Sequence, residues 1–399
     1  MNVLIIHTYY YPIMVGGAEY SVKKIAEGLA SRGYNVFVLC DTDGDNVDEV
    51  INNVKIFRRK MITLRQNNNF ITKVIRAFTE LFNLLNCWII LDIFNKLNNT
   101  TTICYTNSLR RISRVPWIIA KLKKIPIIDT QREYRMLRLI PTQSFLNKFW
   151  AFGNKIASSL VDYEAFVSKA SMDIHTSKGF FPKAQKHIIY NSIDFDLNTV
   201  RQNIEKKVQS ASTHYKFKFV YLGSLEKHKG IDILLSAYNL LYSSNANIEL
   251  HIAGKGSMEK LVNEEIHKNN TIIFHGWLSE GQVGSLLSQV DCLICPSIWA
   301  EPFGRVVLDA YKYGIPAIVS RSGGLAETVI DKQTGLLVEP NSITDLHEAM
   351  NLISTDLDLY IKLSRGISSH IVNYSIDRQL DKLDELFKES QGKYGSNAK

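Results

Sequence analysis

Glu301 and Asp309 stand eight residues apart within PSIWAEPFGRVVLDAYKYGIPAIVS, the segment Pro296 to Ser320. The first carboxylate closes a loop after an apolar, strand-like run, and the second falls on a helix expected to begin near Phe303 or Gly304. Such a helix start offers free backbone N–H groups and a positive dipole end to an anion, and Gly304 lets a phosphate approach the backbone. Taken alone, Glu and Asp at this spacing more often mark a solvated helix face. Lys229, taken alone, is an ordinary surface lysine.

Other chemistry-bearing patterns are weaker. Cys292 and Cys295 form a C-x-x-C in VDCLICPS, but positions three apart on a strand point to opposite faces, and no second Cys/His pair lies nearby. Both read as core cysteines. The acidic run DTDGDN, Asp41 to Asn46, contains a D-x-D, yet a calcium loop needs Gly where Asn46 stands and an acid where Asn52 stands. It reads as a turn after the second strand. The ten histidines form no H-x-x-x-H pair, so no metal site is expected and no cofactor is implied. No strand is followed by G-x-G-x-x-G, since Gly254 and Gly256 lack the third glycine; a dinucleotide-dependent oxidoreductase is disfavoured accordingly.

Several further segments fall in a specific order: GGAE at Gly16 to Glu19, NSID at Asn191 to Asp194, YLGSLEKHKGIDILLSA at Tyr221 to Ala237, IAGKGSMEKL at Ile252 to Leu261, FHGWL at Phe274 to Leu278, and SGGLAETVIDKQTGLLVEP at Ser322 to Pro340. With the Glu301 segment, this order and spacing resembles the family-4 glycosyltransferases, retaining enzymes of GT-B architecture, along most of the chain. The resemblance implies that Glu301 lies by the hydroxyls of a donor sugar and that Asp309 holds the ribose of a nucleotide. It implies that Lys229 meets the diphosphate, where charge builds as a nucleoside diphosphate departs. Gly16 and Gly17 would open a loop toward the same phosphates, backbone near Trp277 and Leu278 would contact the base, and Gly223, Ser224, Gly254, Phe303 and Arg305 complete the implied donor-side set.

Three positions depart from the family pattern. Ser224 stands where the family usually has Arg, with Lys227, Arg305 and Arg321 as the candidate substitutes. Asp309 replaces Glu, which shortens its reach by about 1.5 Å, one C–C bond. Arg132 and Glu133, in IPIIDTQREYRML, stand where a His-Asp pair is common, and they are the acceptor-side candidates.

The elements that must position these residues alternate. Strand candidates at Val3 to His7, Asn35 to Cys40, Thr102 to Tyr105, Ile125 to Asp129, Ala165 to Ser168 and His187 to Tyr190 are separated by helix-length segments. The first helix shows Val22, Ile25, Ala26 and Leu29 on one face. A polar stretch, 196–216, reads as a linker, and a second alternating series follows with strands at Lys218 to Leu222, Asn247 to Ala253, Thr271 to Phe274, Asp291 to Cys295, Ala317 to Ser320 and Gly335 to Val338. Ser279 and Gln282 supply a capping-box signature between the third and fourth of these. The expected fold is α/β, two Rossmann-like domains facing across a cleft: 1–195 on the acceptor side, with a C-terminal helix at about 375–399 packing back on it, and 217–374 on the nucleotide-sugar side.

Composition agrees with a folded protein: 399 residues exceed what one α/β core usually holds, and 45% are hydrophobic and 22% charged. The net charge of +8 divides unequally, because residues 1–190 hold 26 Lys+Arg against 14 Asp+Glu. This basic first half suits an acceptor carried on lipid and an anionic membrane surface, with Arg58, Arg59, Lys60, Lys73, Arg76, Phe78, Phe82 and Trp88 as a candidate face, or alternatively an ordinary solvated helix. Nucleic acid is not expected, since no zinc-finger or RRM-type motif accompanies the charge. The N-terminus lacks the long apolar run of a secretory signal, and the stretch Leu81 to Leu97 is broken by Asn83, Asn86, Asp92 and Asn95, so no transmembrane segment is expected. The location implied is cytoplasmic, with peripheral attachment to the inner face of the membrane as an option. The activity implied is a hexosyltransferase-type retaining transfer from a nucleoside diphosphate sugar to a glycan or lipid-linked acceptor, in bacterial surface polysaccharide biosynthesis. Ser224, Asp309 and Arg132 also motivate an alternative, a non-catalytic GT-B-like sugar-binding subunit.

Overall fold

The computed structural model describes residues 1–13, 17–62, 83–97, 101–107, 109, 112–137, 145–211 and 216–396. The first series of elements is β1 (Asn2–Ile6), α1 (Gly17–Ser31), β2 (Asn35–Asp41), β3 (Val47–Ile51), β4 (Val54–Arg59), α2 (Cys87–Asn95), β5 (Thr102–Asn107), α3 (Val115–Leu122), β6 (Ile127–Gln131), α4 (Phe145–Ser158), β7 (Tyr163–Phe166), α5 (Lys169–Ser177) and β8 (Gln185–Ile188). The second is α6 (Leu197–Ala211), β9 (Phe217–Leu222), α7 (Ile231–Ser244), β10 (Ile248–Ala253), α8 (Glu259–Lys268), β11 (Ile272–Phe274), α9 (Glu280–Gln289), β12 (Cys292–Cys295), α10 (Arg305–Tyr311), β13 (Ala317–Ser320), β14 (Gly335–Val338), α11 (Ile343–Thr355) and α12 (Leu357–His370). A last helix, α13 (Ile376–Ser396), follows. The chain forms two compact units, Met1–Ser192 with Ile376–Lys399, and Ile193–Ser375.

In the first unit the strand order is β3-β4-β2-β1-β5-β6-β7-β8, and every pairing except β3 with β4 is parallel. Val3, Leu4, Ile5 and Ile6 are wholly buried, as a central parallel strand covered on both faces requires. One face carries α1 and α13, whose Val22, Ile25 and Leu29 share a core with Leu380, Leu383 and Phe387. Positions 380, 383 and 387 fall on one stripe at helical spacing, which seats α13 on this unit although 375 residues precede it.

The second unit has order β11-β10-β9-β12-β13-β14, parallel throughout. Its strands match the six expected there to within one residue at either end. The capping box is formed, with Ser279 N donating to Gln282 Oε1 at 2.9 Å.

Two expectations need correction, and one pair of strands had no counterpart among them. The stretch 196–216 is not a simple linker: it holds α6, which belongs to the second unit and buries Val200, Ile204 and Val208. Three apolar residues four apart in a polar stretch make a narrow stripe that composition hides. The hairpin of β3 and β4 was not foreseen either; it turns on Asn52 and Asn53 at φ 50° and 63°, a left-handed conformation that Asn tolerates. Arg58, expected on a surface, is buried, with Nε 2.5 Å from Glu49 Oε1 and Nη1 3.1 Å from Tyr10 O, while Nη2 donates to Tyr11 O. Lys73, Arg76, Phe78 and Phe82 lie outside the described residues, and Trp88 is exposed. Among the described residues, no helix is long and apolar enough to cross a membrane.

Candidate active site

In the second unit the chain runs outward from β9 to β11 on one side and from β12 to β14 on the other. The loops that follow β9 and β12 therefore leave the sheet side by side, at the switch point where open α/β sheets hold ligands. After β9, Lys227–Lys229 form one turn of 3-10 helix that ends at Gly230, φ 73°. That conformation favours glycine, and a Cβ there would overlap the carbonyl oxygen of Pro296. Glycine thus lets the first loop lie on the second. Ile298 N donates to His228 O at 2.9 Å, and the His228 and Trp299 rings meet edge to face at 5.4 Å.

The result joins the two residues singled out from the sequence. Lys229 Nζ lies 2.5 Å from Glu301 Oε1, and Ser297 Oγ donates to the same oxygen at 2.7 Å. The two side chains are 25% and 12% exposed, so solvent screens the pair only in part. Lys229 also stands 5.9 Å from the centre of the Trp299 ring, a cation–π contact. The backbone of Glu301 is fixed from a third loop: Gly324 N donates to Glu301 O at 2.7 Å, and Gly323, φ 60°, packs against the same residue too closely for a Cβ. Ser297 was not singled out from the sequence; a hydroxyl four residues before the acid, inside the same loop, was the available signal.

Asp309 follows on the next helix. It sits on α10, which starts at Arg305 with Gly304 as N-cap and Phe303 buried just before it. Burial raises its carboxyl above the ordinary aspartate range and Arg305 pulls it back, its Nε 3.9 Å from Asp309 Oδ2; a third of the Asp309 side chain remains exposed.

The remaining donor-side residues line the same end of the sheet. Gly223 N donates to Ala253 O at 3.1 Å and Gly254 N to Gly276 O at 2.7 Å, which ties the loops after β9, β10 and β11 in a row. Trp277 and Leu278 follow in that row, the tryptophan exposed. Beneath them His251 Nδ1 lies 3.0 Å from His275 Nε2, with the rings stacked at 5.3 Å. Burial, together with His275, pushes His251 down to about 4, so one neutral imidazole donates to another. Ser224 is exposed. Of the candidate substitutes for the missing arginine, Arg321 is committed to Asp331 at 3.0 Å and Glu339 at 3.4 Å, Arg305 is near Asp309, and Lys227 is exposed.

In the first unit Gly17 opens α1, and Gly16 lies outside the described residues. Arg132 follows β6; its Nε donates to Asn107 Oδ1 at 3.0 Å and its Nη1 to Asn191 Oδ1, and Glu133 beside it is half-buried. The backbone carbonyl of Asn107 also accepts a hydrogen bond from His7 Nδ1 at 2.8 Å, and His7 Nε2 lies 3.6 Å from Glu19 Oε1. The ends of β1, β5 and β6 thus carry one polar cluster. His7 and Asn107 were not picked out from the sequence: His7 reads as the last residue of the first strand, and Asn107 lies two residues past the end expected for the strand from Thr102. In the acidic run, Asp41 Oδ1 accepts from Thr42 N and Met61 N, both at 2.9 Å, and so organises its own loop. Among the described residues no three His, Cys, Asp or Glu side chains gather as a metal would need. The five cysteines are free, and burial pushes the Cys295 thiol up to about 12.

Residues 202–367 match the family model described as glycosyl transferases group 1. A 42.6 kDa uncharacterized protein in the cps region of Klebsiella pneumoniae is 27% identical over 348 residues, 82% of this chain and 87% of that one. An uncharacterized glycosyltransferase of Methanocaldococcus jannaschii is 25% identical over 384 residues, 94% of this chain and 92% of that one. Among solved structures, Anabaena HepE in complex with UDP superposes with TM-score 0.69 at 17% identity, covering 98% of this chain and 100% of that one. The fold is GT-B, and the matches support a glycosyltransferase. The likeness to HepE, at this identity, speaks for the fold alone.

Proposed function

We propose that this chain is a retaining glycosyltransferase that moves a sugar from a nucleoside diphosphate donor to a glycan or lipid-linked acceptor in the assembly of bacterial surface polysaccharide. The observation that carries this reading is the contact of Lys229 with Glu301 at the switch point of the second sheet, 2.5 Å apart and held by two interlocked loops. In the reaction the bond from the sugar's anomeric carbon to the diphosphate oxygen breaks, a bond from that carbon to an acceptor hydroxyl oxygen forms on the same face, and the hydroxyl proton passes to the departing diphosphate. Lys229 neutralises the charge that gathers on the departing diphosphate, and the loop amides near Gly223, Gly254 and Gly304 add donors to it. Glu301 accepts hydrogen bonds from the sugar, Asp309 from the ribose, and backbone at Trp277 and Leu278 meets the base. The relative in a cps region favours this choice of pathway, and HepE, which shares the fold, is itself a protein that holds UDP.

The acceptor side is assigned to the first unit, with Arg132 and Glu133 at the polar end of its sheet. Peripheral attachment to an anionic membrane is part of the same reading. It is supported by the excess of basic residues in 1–190 and by apolar side chains left in solvent beside lysines. Leu122, 80% exposed, adjoins Lys123 and Lys124; Phe152 and Ile156, 62% and 54% exposed, share an outer stripe of α4 with Lys148 and Lys155.

A thermal-shift panel of nucleoside diphosphates and their sugars tests the reading, because a ligand that binds the folded state raises its apparent stability. One base should stand out, its nucleotide sugar should be turned over, and turnover should survive EDTA. Silence across the panel, or activity restored only by Mn²⁺ or Mg²⁺ after chelation, would refute the donor site as drawn.

A further inference from the structure

Glu301 occupies an unusual place for a carboxylate. It touches the lysine expected to receive a diphosphate, its side chain is 12% exposed, and Ser297 and the Gly323–Gly324 loop hold it there. Together Lys229 and Glu301 carry no net charge, so the attraction that Lys229 offers an anion is largely spent on its neighbour. A nucleoside diphosphate that reaches Lys229 also comes within several ångströms of the Glu301 carboxylate. At an effective dielectric near 20, unit charges about 6 Å apart still interact by several times the thermal energy, and partial exposure reduces this without removing it. A donor that carries its sugar brings hydroxyl groups that donate to Glu301. The bare nucleoside diphosphate keeps only its ribose hydroxyls, which fall to Asp309 rather than to Glu301.

From this difference we infer that Glu301 discriminates against the bare nucleoside diphosphate, so that the Lys229–Glu301 pair favours the sugar-bearing donor on entry and expels the product after transfer. The inference rests on the donor-site reading above. In the donor complex the sugar hydroxyls satisfy the carboxylate and offset its repulsion of the phosphates; once the sugar is gone the repulsion stands alone, and Glu301 reclaims Lys229. Ser297 acts as a positioning residue, holding Oε1 on the lysine side.

Calorimetry on the full chain with UDP, GDP, ADP and TDP tests this, using the diphosphate that binds the parent most tightly. Glu301→Gln should bind it roughly tenfold more tightly than the parent, although turnover falls. Glu301→Asp keeps the charge and should retain the parent's weaker affinity. Lys229→Ala should bind at least tenfold more weakly. Glu301→Ser serves as a second neutral variant, read alongside melting curves, should the glutamine variant not fold. If Lys229→Ala weakens binding while the neutral Glu301 variants bind no more tightly than the parent, the discrimination is wrong and the donor site stands. If neither position changes the affinity, the donor site itself is misplaced and the inference falls with it.

Discussion

Asp129 and Glu164 face each other in register across β6 and β7, and neither side chain reaches solvent. Gln131 Nε2 and Thr106 Oγ1 donate to Asp129, and Gln131 N donates to Glu164 at 3.2 Å. Burial raises both carboxyls; the Thr106 hydrogen bond and Arg114 pull Asp129 back, while the charge of Asp129 pushes Glu164 further up. Both effects favour the protonated form of Glu164. A carboxyl whose pKa is higher in the folded chain stabilises the fold fully below its unfolded value, near 4, and loses that contribution as pH rises through the folded value. Glu164→Gln keeps the shape and removes the titration. Melting temperatures taken from pH 4 upward should therefore fall less steeply for this variant than for the parent, the difference approaching about 1.4 kcal/mol per pH unit while one proton is at stake. Parallel profiles would mean that the pair ionises in the fold without penalty.

Asp309→Asn should cost donor affinity rather than folding. Its side chain is one-third exposed and lies 3.9 Å from Arg305, too loose a pairing to matter much for stability. Loss of a charge-assisted hydrogen bond to a ribose is worth about 1.5–3 kcal/mol, which calorimetry with the cognate nucleoside diphosphate would register. Unchanged affinity in a folded variant would remove Asp309 from the donor site.

Arg58 ties β4 to the loop after β1, through the carbonyls of Tyr10 and Tyr11. Replacing it by Leu strands buried acceptors and the Glu49 carboxylate, at a cost of about 1–3 kcal/mol for each acceptor left buried. Lysine should rescue little, since a point charge cannot serve two carbonyls and a carboxylate in the planar arrangement of a guanidinium. A melting temperature for Arg58→Leu equal to that of the parent would show that water replaces the guanidinium freely.

Vesicles decide the membrane reading. The chain should sediment with anionic lipid and be released by salt, because screening limits exposed charges to about 8 Å near physiological ionic strength. Phe152→Glu with Ile156→Glu should abolish sedimentation while leaving the melting temperature unchanged, as both side chains point into solvent. Equal binding to neutral and anionic vesicles would overturn it.

The parts of the fold legible in the sequence are those where one residue type has one physical use. Runs such as Val3 to Ile6 or Ala317 to Ser320 are buried on both faces and read as central strands. Lys229 and Glu301 were legible as a pair only through their motifs, since 72 residues separate them and only the switch-point topology brings them to contact. The burial of Arg58 was not legible: an arginine in a run of basic residues looks solvated, and its partners are main-chain carbonyls 47 and 48 residues away, which no side-chain pattern announces. Arg132 was legible through its motif, but its partners Asn107 and Asn191 lie 25 and 59 residues away and were not.

The position of α13 has a consequence for how the protein is made. Leu380, Leu383, Leu386 and Phe387 complete the core over α1, yet they leave the ribosome after every residue of the second unit. Residues 193–375 are continuous and can fold as a block while the first unit, begun earlier, still lacks a wall. During that interval Val22, Ile25 and Leu29 present an uncovered apolar face. A released chain truncated after residue 375 should therefore pair a protease-resistant second unit with a first unit that is cleaved readily and recruits chaperones, the reverse of the order in which the two began.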